Sequence, residues 1–129
     1  MFETTAVYAA ALAVVGGVLA ARVSVTRAKT KVSLGPGNDP TLLVRIRQFG
    51  NFAENVPLAL VLMLLAEAQG LGAGWLHAAG ALLLAARLVH PFGLDAARVA
   101  TPARIAGATG TRIAMVIPVV AILAHAFGF

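Results

Sequence analysis

Two stretches of this chain carry charged and amide side chains at helical spacing within otherwise apolar sequence. In "RIRQFGNFAENVPLALVLMLL", Arg45 to Leu65, the residues Arg47, Asn51 and Glu54 are separated by four and three positions. They therefore share one helix face, while Arg45 and Phe52 point elsewhere. In "ARLVHPFGL", Arg87 and His90 are likewise three apart. Guanidinium groups take carboxylates and other anions, so a set richer in arginine than in carboxylate suits an anionic ligand. No histidine and carboxylate set has metal-ligand spacing, so no metal is expected. No serine, histidine and aspartate arrangement is credible, because His90 keeps company with arginine rather than a hydroxyl. The chain has no cysteine, so any thiol chemistry requires a thiol supplied by a substrate.

The elements that position these residues are membrane spans. The chain has 129 residues, 60% hydrophobic and 12% charged, a composition outside the range of soluble domains. Crossing the hydrocarbon core takes roughly 20 mostly apolar residues in a helix. Four stretches qualify, at about 4–25, 41–68, 74–94 and 102–126, and the whole chain 1–129 reads as one domain. The fold class expected is all-α integral membrane, a four-transmembrane-helix bundle. "SLGPGNDP" breaks the chain between the first two spans, "QGLGAG" turns it into the third, and "GLDAARVA" links the last two. Thr101 is the expected N-cap of the fourth helix, with Pro102 at its first position. The first segment has no basic residue before it and positive charge after it, which reads as a retained anchor rather than a cleaved leader.

All ten lysines and arginines fall on one side of the spans: Arg22, Arg27, Lys29 and Lys31 after the first, Arg45 and Arg47 at the start of the second, Arg98 and Arg104 between the last two, with Arg87 and Arg112 in the same half. Both termini are accordingly expected on the non-cytoplasmic side. These basic residues flank or interrupt apolar segments and form no exposed soluble stripe, so nucleic acid is not an expected partner. Small residues recur at Ala9, Ala13, Gly17 and Ala21 in the first helix, and at Gly74, Ala78 and Ala81 to Ala85 in the third. Such rows let backbones approach, either within the subunit or between neighbouring subunits.

Counted inward from the outer helix ends at 1.5 Å per residue, Glu54, Arg87 and Arg112 each lie roughly 20 Å deep. A charge at mid-bilayer costs on the order of 2.5 to 3.5 kcal/mol, which favours mutual pairing inside the bundle, most simply Glu54 with Arg87 or Arg112. Asn51, His90 and Thr109 fall about one turn nearer the cytoplasm. A buried pair alone would fix helix register. The cationic excess of Arg47, Arg87, Arg104 and Arg112 instead points to an anionic ligand in an inward-facing cavity. Pro57 and Pro91 free the carbonyls of Ala53 and Arg87 beside that layer. The amino end of the fourth helix, near Arg98 and Arg104, adds a positive dipole end suited to a carboxylate or thiolate. His77, His125, Tyr8 and Trp75 lie toward the outer ends, as interfacial residues do.

"TRAKTKVSLGPGNDPTLLVRIRQFGNFAENVPLAL", followed about thirty residues later by "ARLVHPFGL", resembles the MAPEG family, membrane-associated proteins in eicosanoid and glutathione metabolism. The pattern is an arginine in a basic run, then Arg, Asn, Glu and Pro along the second helix, then Ala-Arg in the third, and it covers Thr26 to Arg104. The resemblance implies a homotrimer in the bacterial inner membrane, with glutathione as co-substrate between subunits toward the cytoplasmic side. It implies that Arg27, Arg47, Asn51 and Glu54 hold the tripeptide, with Arg87 and His90 at matching third-helix positions. Arg104 corresponds to the arginine that stabilises the thiolate, with Arg98 as its rival. The implied activity is transfer of the glutathione thiolate to a lipophilic electrophile, with peroxide reduction as a related outlet. Such an electrophile would reach the site sideways from the membrane lipid.

Leu94 stands where several members have tyrosine, and Phe49 and Gly50 stand where some have histidine and arginine. These departures speak against leukotriene or prostaglandin specificity. The missing tyrosine at Leu94 favours the alternative of a non-catalytic membrane protein of the same fold that binds an anionic lipid or thiol ligand, while the retained Arg47, Asn51, Glu54 and Arg104 favour the transferase. A proton-driven exporter would carry its membrane carboxylate in the first helix, which is clean between Glu3 and Arg22.

Overall fold

The computed structural model describes residues 2–128. Helix α1 spans Glu3–Thr30, α2 Pro40–Ala68, α3 Ala73–Val89 and α4 Pro102–Phe127, with a 3-10 turn at His90–Gly93. All described regular structure is helical, and each helix, the 3-10 turn counted with α3, is long and apolar enough to cross a membrane.

The helix starts follow from side-chain capping. The Asp39 carboxylate accepts from the Leu42 N–H at 2.7 Å with Pro40 at the first position. Thr101 accepts from the Arg104 N–H at 3.3 Å with Pro102 behind it, the start read from "TPAR". Two ends differ from expectation. The first helix continues past Val25 to Thr30, because Arg27 and Lys29 in its last turn complement the negative end of the helix dipole. The α-helical part of the third stops at Val89 rather than running to Leu94, since Pro91 lacks an N–H and the chain tightens into a 3-10 turn.

The helices alternate in direction. The Thr4 and Thr5 amides each donate to the Glu67 carboxylate at 3.0 Å, so the start of α1 meets the end of α2. The Tyr8 hydroxyl lies 3.1 Å from His77 Nδ1, which brings the start of α3 to the same end. Leu12, Phe52, Val56, Met63, Leu83 and Ala114 fill the core between them.

Close approach depends on glycines outside the two small-residue rows. A Cβ on Gly16 would lie 2.7 Å from the Phe52 ring, one on Gly80 would strike the Tyr8 ring, and one on Gly107 would lie 2.5 Å from His90 Cβ. Ala13, Gly17 and Ala21 of α1, and Gly74, Ala78, Ala81 and Ala85 of α3, are exposed instead. The rows are therefore not the packing faces within the bundle. Gly107→Ala is expected to push α4 off α3 and cost about 1–3 kcal/mol, read as a lower thermal midpoint in detergent with the helix content kept.

Candidate functional site

At the end of the bundle that holds the basic residues, a pocket of about 170 Å³ opens between α2, the chain following the 3-10 turn, and the start of α4. Arg47 and Asn51 reach it from α2, Arg104 from the first turn of α4, and Leu94 and Asp95 from the connection. Helical spacing puts the first two on one face, and the Thr101 cap delivers the third. Glu54 lies on the same face of α2, and its Oε1 is 3.7 Å from Arg47 Nη1.

The polar face of α2 does not look into the core of the bundle. The side chains of Arg47 and Glu54 are 54% and 58% exposed, while Gln48, Phe52, Val56, Ala59 and Met63 form the packed face. The expected pairing of Glu54 with Arg87 or Arg112 is likewise replaced by the pair with Arg47 on its own helix. Arg112 is exposed on α4 and makes no hydrogen bond or ion pair among the described residues. Equal depth along separate helices did not reveal that the three charges point in different directions.

Arg87 is buried, 2% exposed, and its two terminal nitrogens are paired with dipoles rather than with a carboxylate, while its Nε has no partner among the described residues. Its Nη1 donates to Asn51 Oδ1 at 3.3 Å and its Nη2 to the Gly107 carbonyl at 2.9 Å. Because Asn51 Oδ1 accepts from Arg87, its amide NH₂ remains as a donor for the pocket. His90 is buried where α3 ends and packs against Gly107. Neither Arg87 nor His90 lines the pocket; they support it from behind.

Arg27 and Arg98 have other duties. Arg27 Nη1 is shared by the carbonyls of Val32, Ser33 and Gly35 at 3.3, 3.3 and 2.9 Å. The loop that curls around it needs left-handed backbone at Gly35 and Gly37, with φ of +65° and +56°. Arg98 bonds Asp95 Oδ2 at 3.3 Å and stands 74% exposed, outside the pocket. Of the two candidate thiolate arginines, Arg104 alone lines it, steadied by a 2.7 Å bond from Nη1 to the Val99 carbonyl.

Sequence reasoning missed Gln48. Its Oε1 accepts from Arg45 Nη1 at 3.1 Å and its Nε2 donates to the Pro91 carbonyl at 2.7 Å, tying α2 to the 3-10 turn. The available signal was its place in the series Gln48, Phe52, Val56, Ala59, Met63, where a buried amide needs two partners.

Four membrane-length helices whose cations and amide converge at one end define the class, an integral membrane protein of the four-helix type with a polar pocket at that end. The chain belongs to the MAPEG family, whose model matches residues 5–124. It is similar to Inner membrane protein YecN of Escherichia coli strain K12, 40% identical over 67 residues, or 52% of this chain and 51% of that protein. The protein of the same name from Escherichia coli O6:H1 strain CFT073 matches with the same identity and coverage. The matched stretch spans about half the length of these curated relatives. No solved structure matches the chain.

The pocket floor carries a pH dependence. The Ala97 and Arg98 amides and the Arg98 guanidinium hold the Asp95 carboxyl below its ordinary value. A carboxyl depressed in the folded state stabilises the fold above its unfolded pKa, and that contribution is lost as pH falls through the folded value. Protection of the Ala97 and Arg98 amides from hydrogen exchange, referred to intrinsic rates, is thus expected to persist below the usual carboxylate range and fail only at more acid pH. Asp95→Asn should remove that acid transition.

Proposed function

We propose that the chain is a glutathione-dependent membrane transferase that joins the glutathione thiolate to lipophilic electrophiles at the cytoplasmic side of the bilayer. The observation that carries this reading is the convergence of Arg47, Asn51 and Arg104 on one pocket, with Glu54 on the adjoining face. Glutathione presents two carboxylates, an ammonium and a thiol. Arg47 and the Asn51 amide suit a carboxylate, Glu54 suits the ammonium, and Arg104 suits the sulfur as an anion. A guanidinium near a thiol lowers its pKa by favouring the charged form, and the thiolate is the nucleophile. Its sulfur forms the new bond to carbon while the electrophile's leaving group departs with the electron pair. In peroxide reduction the same thiolate takes the terminal peroxide oxygen as the O–O bond breaks, the alkoxide leaves and is protonated, and a second glutathione displaces water from the sulfenic acid to give the disulfide.

A cavity of about 170 Å³ is smaller than the roughly 300 Å³ at which ligand pockets begin. Only part of a tripeptide fits it, and the remainder lies along the exposed Arg47 to Glu54 face. Glu54 on that face, and Arg112 on α4, put charge on the surface of the bundle at membrane depth, where a charge near the bilayer centre costs on the order of 2.5 to 3.5 kcal/mol. A homotrimer in which a neighbouring subunit covers the face and closes over the ligand removes that exposure. The accumulation of basic residues at the pocket end supports placing that end in the cytoplasm and both termini across the membrane. The name of the Escherichia coli relatives supports the inner membrane as its location.

One observation favours a second reading, a protein of the same fold that binds without turnover. Leu94 lines the pocket together with Arg104, so an apolar side chain stands where the family resemblance leads one to expect a tyrosine near the ligand.

Titration of the detergent-purified protein with glutathione, followed by heat and by thiolate ultraviolet absorbance, separates the two. The transferase reading expects saturable binding with a thiolate signal, binding without that signal favours the second reading, and no binding overturns both for glutathione. Glu54→Gln is expected to weaken glutathione roughly tenfold or more, as loss of a charged hydrogen bond does; unchanged affinity would remove the carboxylate from the site. Arg104→Ala is expected to abolish the thiolate signal and leave most of the binding.

A further inference from the structure

On another side of the bundle, between α1 and the end of α3, a groove runs from apolar to basic. Its inner part, about 210 Å³, is walled by Val14, Val18 and Leu19 of α1 and by Leu88 and Phe92 across from them. Its outer part, about 370 Å³, is bounded by Ala21, Val25, Arg22, Lys29 and Arg45. Val18 and Arg22 border both parts, so the two are continuous.

The mouth concentrates cations with nothing to neutralise them. The side chains of Arg22 and Lys29 make no hydrogen bond or ion pair among the described residues, and no carboxylate lines either part of the groove. Arg45 is held by the buried Gln48, which fixes its position while leaving its charge unpaired. Asp95 shares a neighbouring pocket with Arg45, but it is taken up by Arg98 and two backbone amides. Arg87 borders the inner part and is 2% exposed, with an Nε that has no hydrogen-bond partner. None of Arg22, Lys29 and Arg45 lines the pocket of Arg47, Asn51 and Arg104.

Depth agrees with charge. About 20 residues of α1 counted from Thr4 cross the hydrocarbon and end near Val23. Arg22 and Lys29 therefore straddle the membrane boundary, while Val14 and Val18 lie at acyl-chain level. Basic pockets between membrane helices on the cytoplasmic side are sites for acidic lipid headgroups.

We propose that the α1–α3 groove is a binding site for one acidic phospholipid, its phosphate among Arg22, Lys29 and Arg45 and one acyl chain running inward along the slot lined by Val18, Leu88 and Val14. Zwitterionic lipids would bring an ammonium into the same cationic mouth and are disfavoured by it. The site is separate from the glutathione pocket and stands independently of the transferase reading.

The test reconstitutes the full chain into vesicles of equimolar phosphatidylglycerol and phosphatidylcholine, extracts it in mild detergent and counts retained lipids by native mass spectrometry. The wild-type chain is expected to keep phosphatidylglycerol over phosphatidylcholine by roughly tenfold or more. Arg22→Gln with Lys29→Gln should erase that preference. Lys31→Gln, which removes the same charge two residues from Lys29 but outside the groove, should keep it. Val18→Trp should reduce retention of either lipid by filling the slot without changing charge. Variants are compared only where thermal midpoint and helix content match the wild type, and the single Arg22→Gln change serves if the pair fails to fold. Equal retention of the two lipids by the wild type, or a preference untouched by Arg22→Gln or lost with Lys31→Gln, would overturn the proposal.

Discussion

A guanidinium buried without a carboxylate sets the terms for the rest of this bundle. Arg87 gives up water and receives in return one amide oxygen from α2 and one backbone carbonyl from α4. Burying a charge is tolerable only when such dipoles surround it closely. That requirement explains why position 107 is glycine, since any Cβ there would hold α4 away from α3 and take its carbonyl out of reach. It also orients Asn51, whose oxygen is committed and whose NH₂ is left to the pocket. Three helices are thus registered by one side chain, and the polar pocket inherits its shape from that register.

The second constraint is that charge inside a bilayer needs cover on every side. Within the bundle, Arg87 is covered and Arg47, Glu54 and Arg112 are not. The Arg47–Glu54 pair softens the problem without solving it, because both members lie on the outer surface of a membrane helix. A surface of that kind is incomplete as a lipid-facing wall, whatever finally lies against it.

The number of spans, the capped start of α4 and the gathering of basic residues at one end were legible in the sequence, because length, Thr101-Pro102 and charge placement are local properties. The facing of α2 was not. Spacing of four and three residues says that Arg47, Asn51 and Glu54 share a face, but against lipid and against protein the remaining residues are equally apolar, so periodicity gives no inward direction. The outward rows of small residues were ambiguous for the same reason, since the glycines that mediate packing, Gly16, Gly80 and Gly107, are recognisable only from what approaches them. Arg27 was hidden by loop geometry, because the carbonyls it collects converge only once Gly35 and Gly37 turn the chain left-handed. Glu67 was hidden by distance, for a carboxylate at the end of α2 caps amides more than sixty residues earlier.

The contact between Gly93 and Arg104 bears on how binding entropy is spent. The backbone of Arg104 sits directly against Gly93, with no side chain between the 3-10 turn and the first turn of α4. The Thr101 hydroxyl fastens the same joint by donating to the Gly93 carbonyl at 2.6 Å. Arg104 therefore rides on α3 rather than on a free loop, and its backbone is already ordered before any ligand arrives. Across the pocket, Arg47 and Glu54 project from an exposed face, tied among the described residues only to each other, at 3.7 Å. A ligand bridging the two sides finds one wall preorganised and must order the side chains of the other, so the entropic cost of association falls almost wholly on α2.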